Sequence, residues 1–217
     1  LAGPRHGIEI RVLPASRSRV FAATDLDAIV EYVGTLRDYG GAYYTLHPIP
    51  ATHTGAANST IVISRRWLLI DVDPIRPADT SATAAERRAA EVLAGKIDAH
   101  LRAAGWPHGL VIDSGNGVHL LYRIDLLNTQ AATDLVKAVL QALACLFDTS
   151  AAKVDTGVFD APRIARLPGT WNRKGTYTAE RPHRMATMSP VPPEGLGIVT
   201  ADQLRALVAT AKAAMPT

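Results

Sequence analysis

The stretch that decides the architecture runs Leu110-Val-Ile-Asp-Ser-Gly-Asn-Gly-Val-His-Leu-Leu-Tyr-Arg-Ile124. Two apolar runs, Leu110 to Ile112 and Val118 to Ile124, flank the turn Ser114-Gly115-Asn116-Gly117. Asn and Gly tolerate positive φ, so the pattern predicts a β-hairpin. In its second strand Val118, Leu120, Tyr122 and Ile124 share one face, while His119, Leu121 and Arg123 share the other. That mixed face sets an imidazole and a guanidinium on a surface suited to phosphate. The small residues of the turn let backbone N–H groups approach an anion, and Ser114 adds a hydroxyl. The alternative is an ordinary hairpin whose histidine satisfies a backbone carbonyl.

Outward from the hairpin, helices and strands interleave. Thr24 is positioned to cap a helix with Leu26, Ile29, Val30, Val33 and Leu36 on one face, ending near Gly40-Gly41. Thr83-Ala-Ala-Glu86 is a capping box ahead of Leu93, Ile97 and Leu101, and Gly105 stops that helix. A third helix spans about Asn128 to Phe147, with Leu135, Val139, Leu143 and Leu146 as its stripe. A second capping box, Thr200-Ala-Asp-Gln203, opens a fourth. Strands are expected at Ile8 to Leu13, Ala42 to Leu46 and Trp67 to Val72, the last apolar throughout as in a strand covered on both faces. Interleaving with an antiparallel hairpin makes the class α+β, or mixed α/β. The Pro-rich stretch Ser189 to Pro193 reads as a linker to the last helix.

Composition narrows the options. The 217 residues are 47% apolar and 20% charged, which are globular values. No uninterrupted apolar run reaches the ~18 residues of a membrane span, and no signal-peptide pattern opens the chain. A single cysteine, Cys145, excludes an internal disulfide and a Cys-based structural zinc site, and its apolar neighbours suggest a core position. The net charge of +3 conceals segregation: Lys153 to Arg184 carries seven basic residues against three acids, and the first twenty residues carry Arg5, Arg11, Arg17 and Arg19 against Glu9. Segregation of this kind suits a polyanionic ligand on one surface. The chain begins at Leu1, which suits a piece of a longer protein.

Two further motifs carry chemistry. In Trp67-Leu-Leu-Ile-Asp71-Val-Asp73-Pro74 the carboxylates at i and i+2 project from one face at a strand's end. Such a pair repels itself unless a divalent cation neutralises it, and carboxylate oxygens suit Mg²⁺ or Mn²⁺. A turn capped by Asp73 is the plainer alternative. The segment Val154-Asp155-Thr-Gly-Val-Phe-Asp160-Ala-Pro-Arg163-Ile-Ala-Arg166-Leu-Pro-Gly-Thr-Trp-Asn-Arg-Lys174 adds a third carboxylate, two arginines three apart and a lysine. Guanidinium forks bind phosphate oxygens in pairs, although either arginine could instead pair with Asp160.

In this order and spacing the motifs resemble those of the archaeo-eukaryotic primase superfamily, in particular its primase-polymerase branch on plasmids, phages and other mobile elements. Leu69-Ile-Asp71-Val-Asp73 matches its hydrophobic-hydrophobic-Asp-x-Asp/Glu motif, and Ser114-Gly-Asn-Gly-Val-His119 its small-residue turn before histidine. Val154-Asp155 matches the third, and Arg163 through Lys174 the Arg-x-x-Arg-Leu-Pro-Gly-Thr-x-Asn-x-Lys run. The resemblance covers about residues 42 to 184. It implies an N-terminal αβ unit (about 1–66, with parts of the helical segments) packed on an RRM-like antiparallel catalytic unit (about 67–188), followed by a C-terminal helix (194–217). It implies template-directed nucleotidyl transfer, with Asp71, Asp73 and Asp155 carrying two divalent cations, Mg²⁺ or Mn²⁺. His119, Arg163 and Arg166 would hold the phosphates of an NTP or dNTP, assisted by Ser114 and Lys174. The implied partners are a single-stranded DNA template and a helicase in the longer protein, and the implied setting is the cytoplasm of a bacterium or its mobile elements. Many relatives carry a Cys/His zinc element that Cys145 alone cannot build, so no zinc is expected. Arg17, Arg19, Arg65 and Arg66 are candidates for template backbone contact. His47, Trp171 and Tyr177 are candidates for base stacking or for packing. The competing functions are a replication-initiator module that binds DNA without chemistry, and a metal-dependent nuclease.

Overall fold

A computed structural model describes residues 5–214; the ends of the 1–217 span proposed above lie outside the described residues. In chain order the elements are β1 (His6–Leu13), β2 (Arg17–Ala22), α1 (Leu26–Gly34), β3 (Gly41–Thr45), β4 (Ile49–Pro50), β5 (Ser64–Pro74), α2 (Ala84–Ala103) and β6 (Leu110–Asp113). Then come β7 (Val118–Leu127), α3 (Gln130–Phe147), β8 (Ala152–Val154), β9 (Ile164–Arg166), β10 (Trp171–Asn172), β11 (Arg184–Met185), β12 (Thr187–Met188) and α4 (Ala201–Ala214).

Two five-stranded antiparallel sheets result, with a two-stranded β10–β11 ribbon beside them. The first has the order β2-β1-β3-β9, with β4 also on β1; the second has the order β12-β6-β7-β5-β8. The predicted hairpin is β6–β7, in register from Leu110 opposite Leu121 to Asp113 opposite Val118. Alternation along the central strands then sorts the layers. Leu68, Ile70 and Val72 of β5, with Leu120, Tyr122 and Ile124 of β7, are fully buried beside Leu93, Ile97 and Leu101 of α2. Each such side chain contributes roughly 1.5–3 kcal/mol on burial. The opposite face of the same strands carries Leu69, Asp71 and His119 toward β3 and β9 of the first sheet, across a cleft.

Both capping boxes form as read: Thr83 Oγ1 accepts the Glu86 N–H while Glu86 accepts the Thr83 N–H, and Thr200 and Gln203 do the same. The first helix differs. Its cap is Asp25, whose carboxylate accepts the Ala28 N–H at 3.2 Å, and it stops at Gly34. Leu26 and Val30 are exposed, because only Tyr32, Val33 and the following Leu36 reach the first sheet. Strand β2 escapes an apolar pattern because Arg17, Ser18 and Arg19 alternate with solvent at a sheet edge. By length and composition α3 could cross a membrane. Asp134 and Lys137 interrupt it, and its buried face packs against α2, α4 and β8 as a core helix does. Cys145 is not in the core: it lies on the exposed side of α3, one position off the buried stripe.

Candidate active site

The cleft between the sheets has a volume of about 640 Å³, and all eight residues expected to do chemistry line it: Asp71, Asp73, Ser114, His119, Asp155, Arg163, Arg166 and Lys174. The pleat explains the acidic wall. Asp71 and Asp73 point the same way from the end of β5, and His119 on β7 stands directly opposite Asp71, with Nε2 3.6 Å from Asp71 Oδ1. On the other side β8 pairs with β5, and the Asp155 N–H donates to the Asp71 carbonyl at 2.8 Å. Asp155, distant in sequence and just past the end of β8, thus joins Asp71 and Asp73 of β5.

Burial, then the neighbouring Asp73 and Asp155 charges, push the Asp71 carboxyl well above its ordinary 3.8, with Arg163 and Arg76 opposing. Burial also draws His119 down to about 4, assisted by the Arg166 charge, so its imidazole is neutral at pH 7. His119 Nδ1 is buried and has no protein partner.

Among the described residues no three His, Cys, Asp or Glu side chains are drawn tightly enough together to close on a metal ion as they stand. Asp73 pairs with Arg76 at 3.5 Å, and Asp155 Oδ1 accepts the Gly157 N–H at 2.7 Å. The donor chemistry nonetheless fits a hard divalent cation, since three carboxylates in one cleft, with Asp71 disfavoured as an anion, are relieved by positive charge.

The facing wall is cationic. Arg166 is 6% exposed; its Nη2 donates to Tyr43 Oη at 2.6 Å, its guanidinium lies 4.2 Å from the Tyr43 ring centroid, and its Nη1 is unpartnered. Gly41 makes room for it, because a Cβ there would sit within the guanidinium. Arg163 is tied back by Asp160, with Nε at 2.7 Å from Oδ1, and by the Gly157 carbonyl at 2.8 Å. Lys174 is exposed at the rim.

The hairpin turn is rigid. Ser114 Oγ accepts the Gly117 N–H and donates to the Gly117 carbonyl, both at 3.0 Å, so its hydroxyl closes the turn rather than facing out. Gly117 permits the approach to β5, since a Cβ would strike the Val72 carbonyl and lie 3.0 Å from Asp73 Oδ1. Asn172 Nδ2 donates to the Ser114 carbonyl at 2.8 Å, which locks β10 onto the turn.

Arg65 and Arg123 do not sit where expected, whereas Arg17, Arg19 and Arg66 keep solvent exposure and His47 takes the packing role. Arg65 is a core residue, 2% exposed, donating to the Phe159 carbonyl and the Thr133 hydroxyl, because β5 begins three residues earlier than read and turns it inward. Arg66 is half exposed and ion-paired with Asp125. Arg17 and Arg19 are exposed, Arg19 stacking on Phe21 and Tyr32. Arg123 shares a face with His119 but lies four residues further along β7, donating to the Leu196 carbonyl outside the cleft. His47 is buried, its Nδ1 accepting the Arg66 N–H. Conversely, Arg76, Tyr43, Asn116 and Arg173 line the cleft unanticipated. Arg173, inside the Arg-to-Lys run, and Asn116, inside the hairpin turn, carried a local signal; Arg76 and Tyr43 did not.

No family model and no curated protein matches the chain. Among solved structures it is similar to the crystal structure of primase RepB', at 18% identity over 97% of this chain, with a TM-score of 0.53. The chain has a primase fold. It spans 57% of the length of that primase. The catalytic domain of primase RepB' in complex with initiator DNA aligns over 97% of this chain and 86% of its own, at 18% identity and a TM-score of 0.49.

Proposed function

We propose that the chain is a primase-polymerase catalytic domain that joins nucleoside triphosphates on a single-stranded DNA template. One observation carries this reading: the cleft sets three carboxylates and a histidine on one wall and two arginines across from them. Acids alone would serve a nuclease equally well; the cationic wall gives a triphosphate its partners.

Asp71, Asp73 and Asp155 would hold the divalent cations, which when bound neutralise the phosphates and acidify the attacking 3′-hydroxyl. The protein's own contribution is positioning and charge. Arg166, fixed against Tyr43, keeps an unpartnered Nη1 packed beside Gly41 in the cleft lining, and that donor would be met by a phosphate oxygen. Neutral His119 donates one ring N–H there without adding charge beside Asp71. Arg163 is restrained by Asp160 and supplies positive potential to the acidic wall. The locked Ser114–Gly117 turn keeps the backbone close to β5, so the substrate's phosphates approach a fixed surface.

The test is an incubation with single-stranded template, Mn²⁺ or Mg²⁺ and labelled nucleotides, with and without primer. Product without primer is the expected result, and extension with primer only would restrict the reading to a polymerase. Shortened template would replace it with the nuclease, and binding without any product would leave the initiator module.

A further inference from the structure

Strand β10 continues the cleft wall onto the surface. Its alternation sends Asn172 inward and Trp171 outward. The outward residues are held in place. The Trp171 N–H donates to Tyr39 Oη at 3.1 Å, and the Arg173 N–H donates to the Gly40 carbonyl at 2.8 Å. The Arg173 guanidinium then sits 5.4 Å from the Tyr39 ring centroid and 5.9 Å from that of Trp171. Trp171 is 39% exposed, and its cross-strand partner Met185 is exposed beside it. Among the described residues neither Arg173 nor Lys174 forms an ion pair, and both also line the cleft.

We propose that Trp171, Arg173 and Tyr39 form a stacking platform for the bases of a single strand at the mouth of the cleft. The partner class follows from the chemistry. Alternating aromatic faces and an unpaired guanidinium suit unstacked bases on a phosphate backbone, because every base offers a π-face and every linkage a charge. Trp, Tyr, Met and Arg also suit a protein interface, but Lys does not, and here Lys174 and Arg173 run on into the cleft that holds the carboxylates, which favours a phosphate backbone. Continuity supplies the direction: the strand reaching this strip is led by Arg173 and Lys174 toward the carboxylates. A backbone-fixed tryptophan also loses little freedom on stacking, because its strand is already locked to the hairpin turn by Asn172. The platform rests on the primase-polymerase reading for its purpose, but its binding can be measured without any synthesis.

The experiment is titration with a fluorescein-labelled oligodeoxythymidine, read by anisotropy and by quenching of tryptophan emission. Trp106 is 5% exposed and Trp67 is half-buried, so the quenched emission is expected to come from Trp171. Trp171→Ala is expected to weaken oligonucleotide binding about 5- to 150-fold, the range for loss of one base stack. Trp171→Phe should keep most of the affinity, and Arg173→Ala should weaken binding while lowering its salt dependence. Unchanged affinity in both Trp171→Ala and Arg173→Ala would overturn the platform, whatever the protein synthesises. If wild type binds through Trp171 yet makes no product, the platform stands and the primase-polymerase reading falls.

Discussion

Replacing Gly41 by alanine tests the cationic wall without touching a charged group. A Cβ at this position would come within 2.6 Å of Arg166 Cζ and 2.9 Å of Nη2, and closer still to Nη1. No left-handed backbone is required at Gly41, so alanine is tolerated by the strand. The obstructed atoms are the far end of a flexible side chain, so the guanidinium must move and the fold need not. What is lost is its placement against the Tyr43 hydroxyl and ring. A hydrogen bond to a charged group contributes about 1.5–3 kcal/mol, so nucleotide binding should weaken about 10- to 150-fold. Calorimetric titration with a triphosphate measures this, and circular dichroism melts check the fold. Overpacking of about 1–3 kcal/mol would lower Tm by only a few degrees per kcal/mol in a domain of this size. Wild-type nucleotide affinity in a folded Gly41→Ala protein would refute the role given to Arg166.

Two further outcomes follow from the charges. Asp71 holds its proton more tightly in the fold than in the unfolded chain, so without divalent cation stability should fall as pH rises from about 4 upward through its elevated value. Asp71→Asn should remove that loss, melting higher than wild type at pH 8, while abolishing synthesis and the rise in Tm that Mn²⁺ gives wild type. A variant no more stable than wild type at pH 8 would contradict the account of the acidic wall. At Glu9, fully buried, desolvation raises the carboxyl, but Arg11, Ser18 and the Ala57 N–H outweigh it and hold the group below its ordinary 4.5. Its contribution is therefore present above about 4.5 and lost as pH falls below it. Glu9→Gln should lower Tm at pH 7 and flatten its decline in acid; an unaltered acid limb would show that Glu9 is not its source.

How much of this was legible beforehand depended on whether a signal was local. The hairpin turn and both capping boxes were, because each is fixed by residues within a few positions of one another. The three motifs were legible too, since pleat and turn geometry fix how Asp71, Asp73 and His119 project whatever surrounds them. Long-range pairing decided the rest. Asp155 meets Asp71 only because β8 docks on β5, and Arg166 faces them only because β9 pairs with β3. The sequence shows Arg65, Arg66 and Arg123 as cations without saying which one is buried, paired or outside the cleft. Arg76 gave no sign, because its meeting with Asp73 requires the chain after Pro74 to turn back onto the acidic wall. The sequence alone therefore determined which chemical groups are present and which side of each strand they occupy. The tertiary structure alone decided which of those groups share one desolvated cleft, where proximity and burial set their charge.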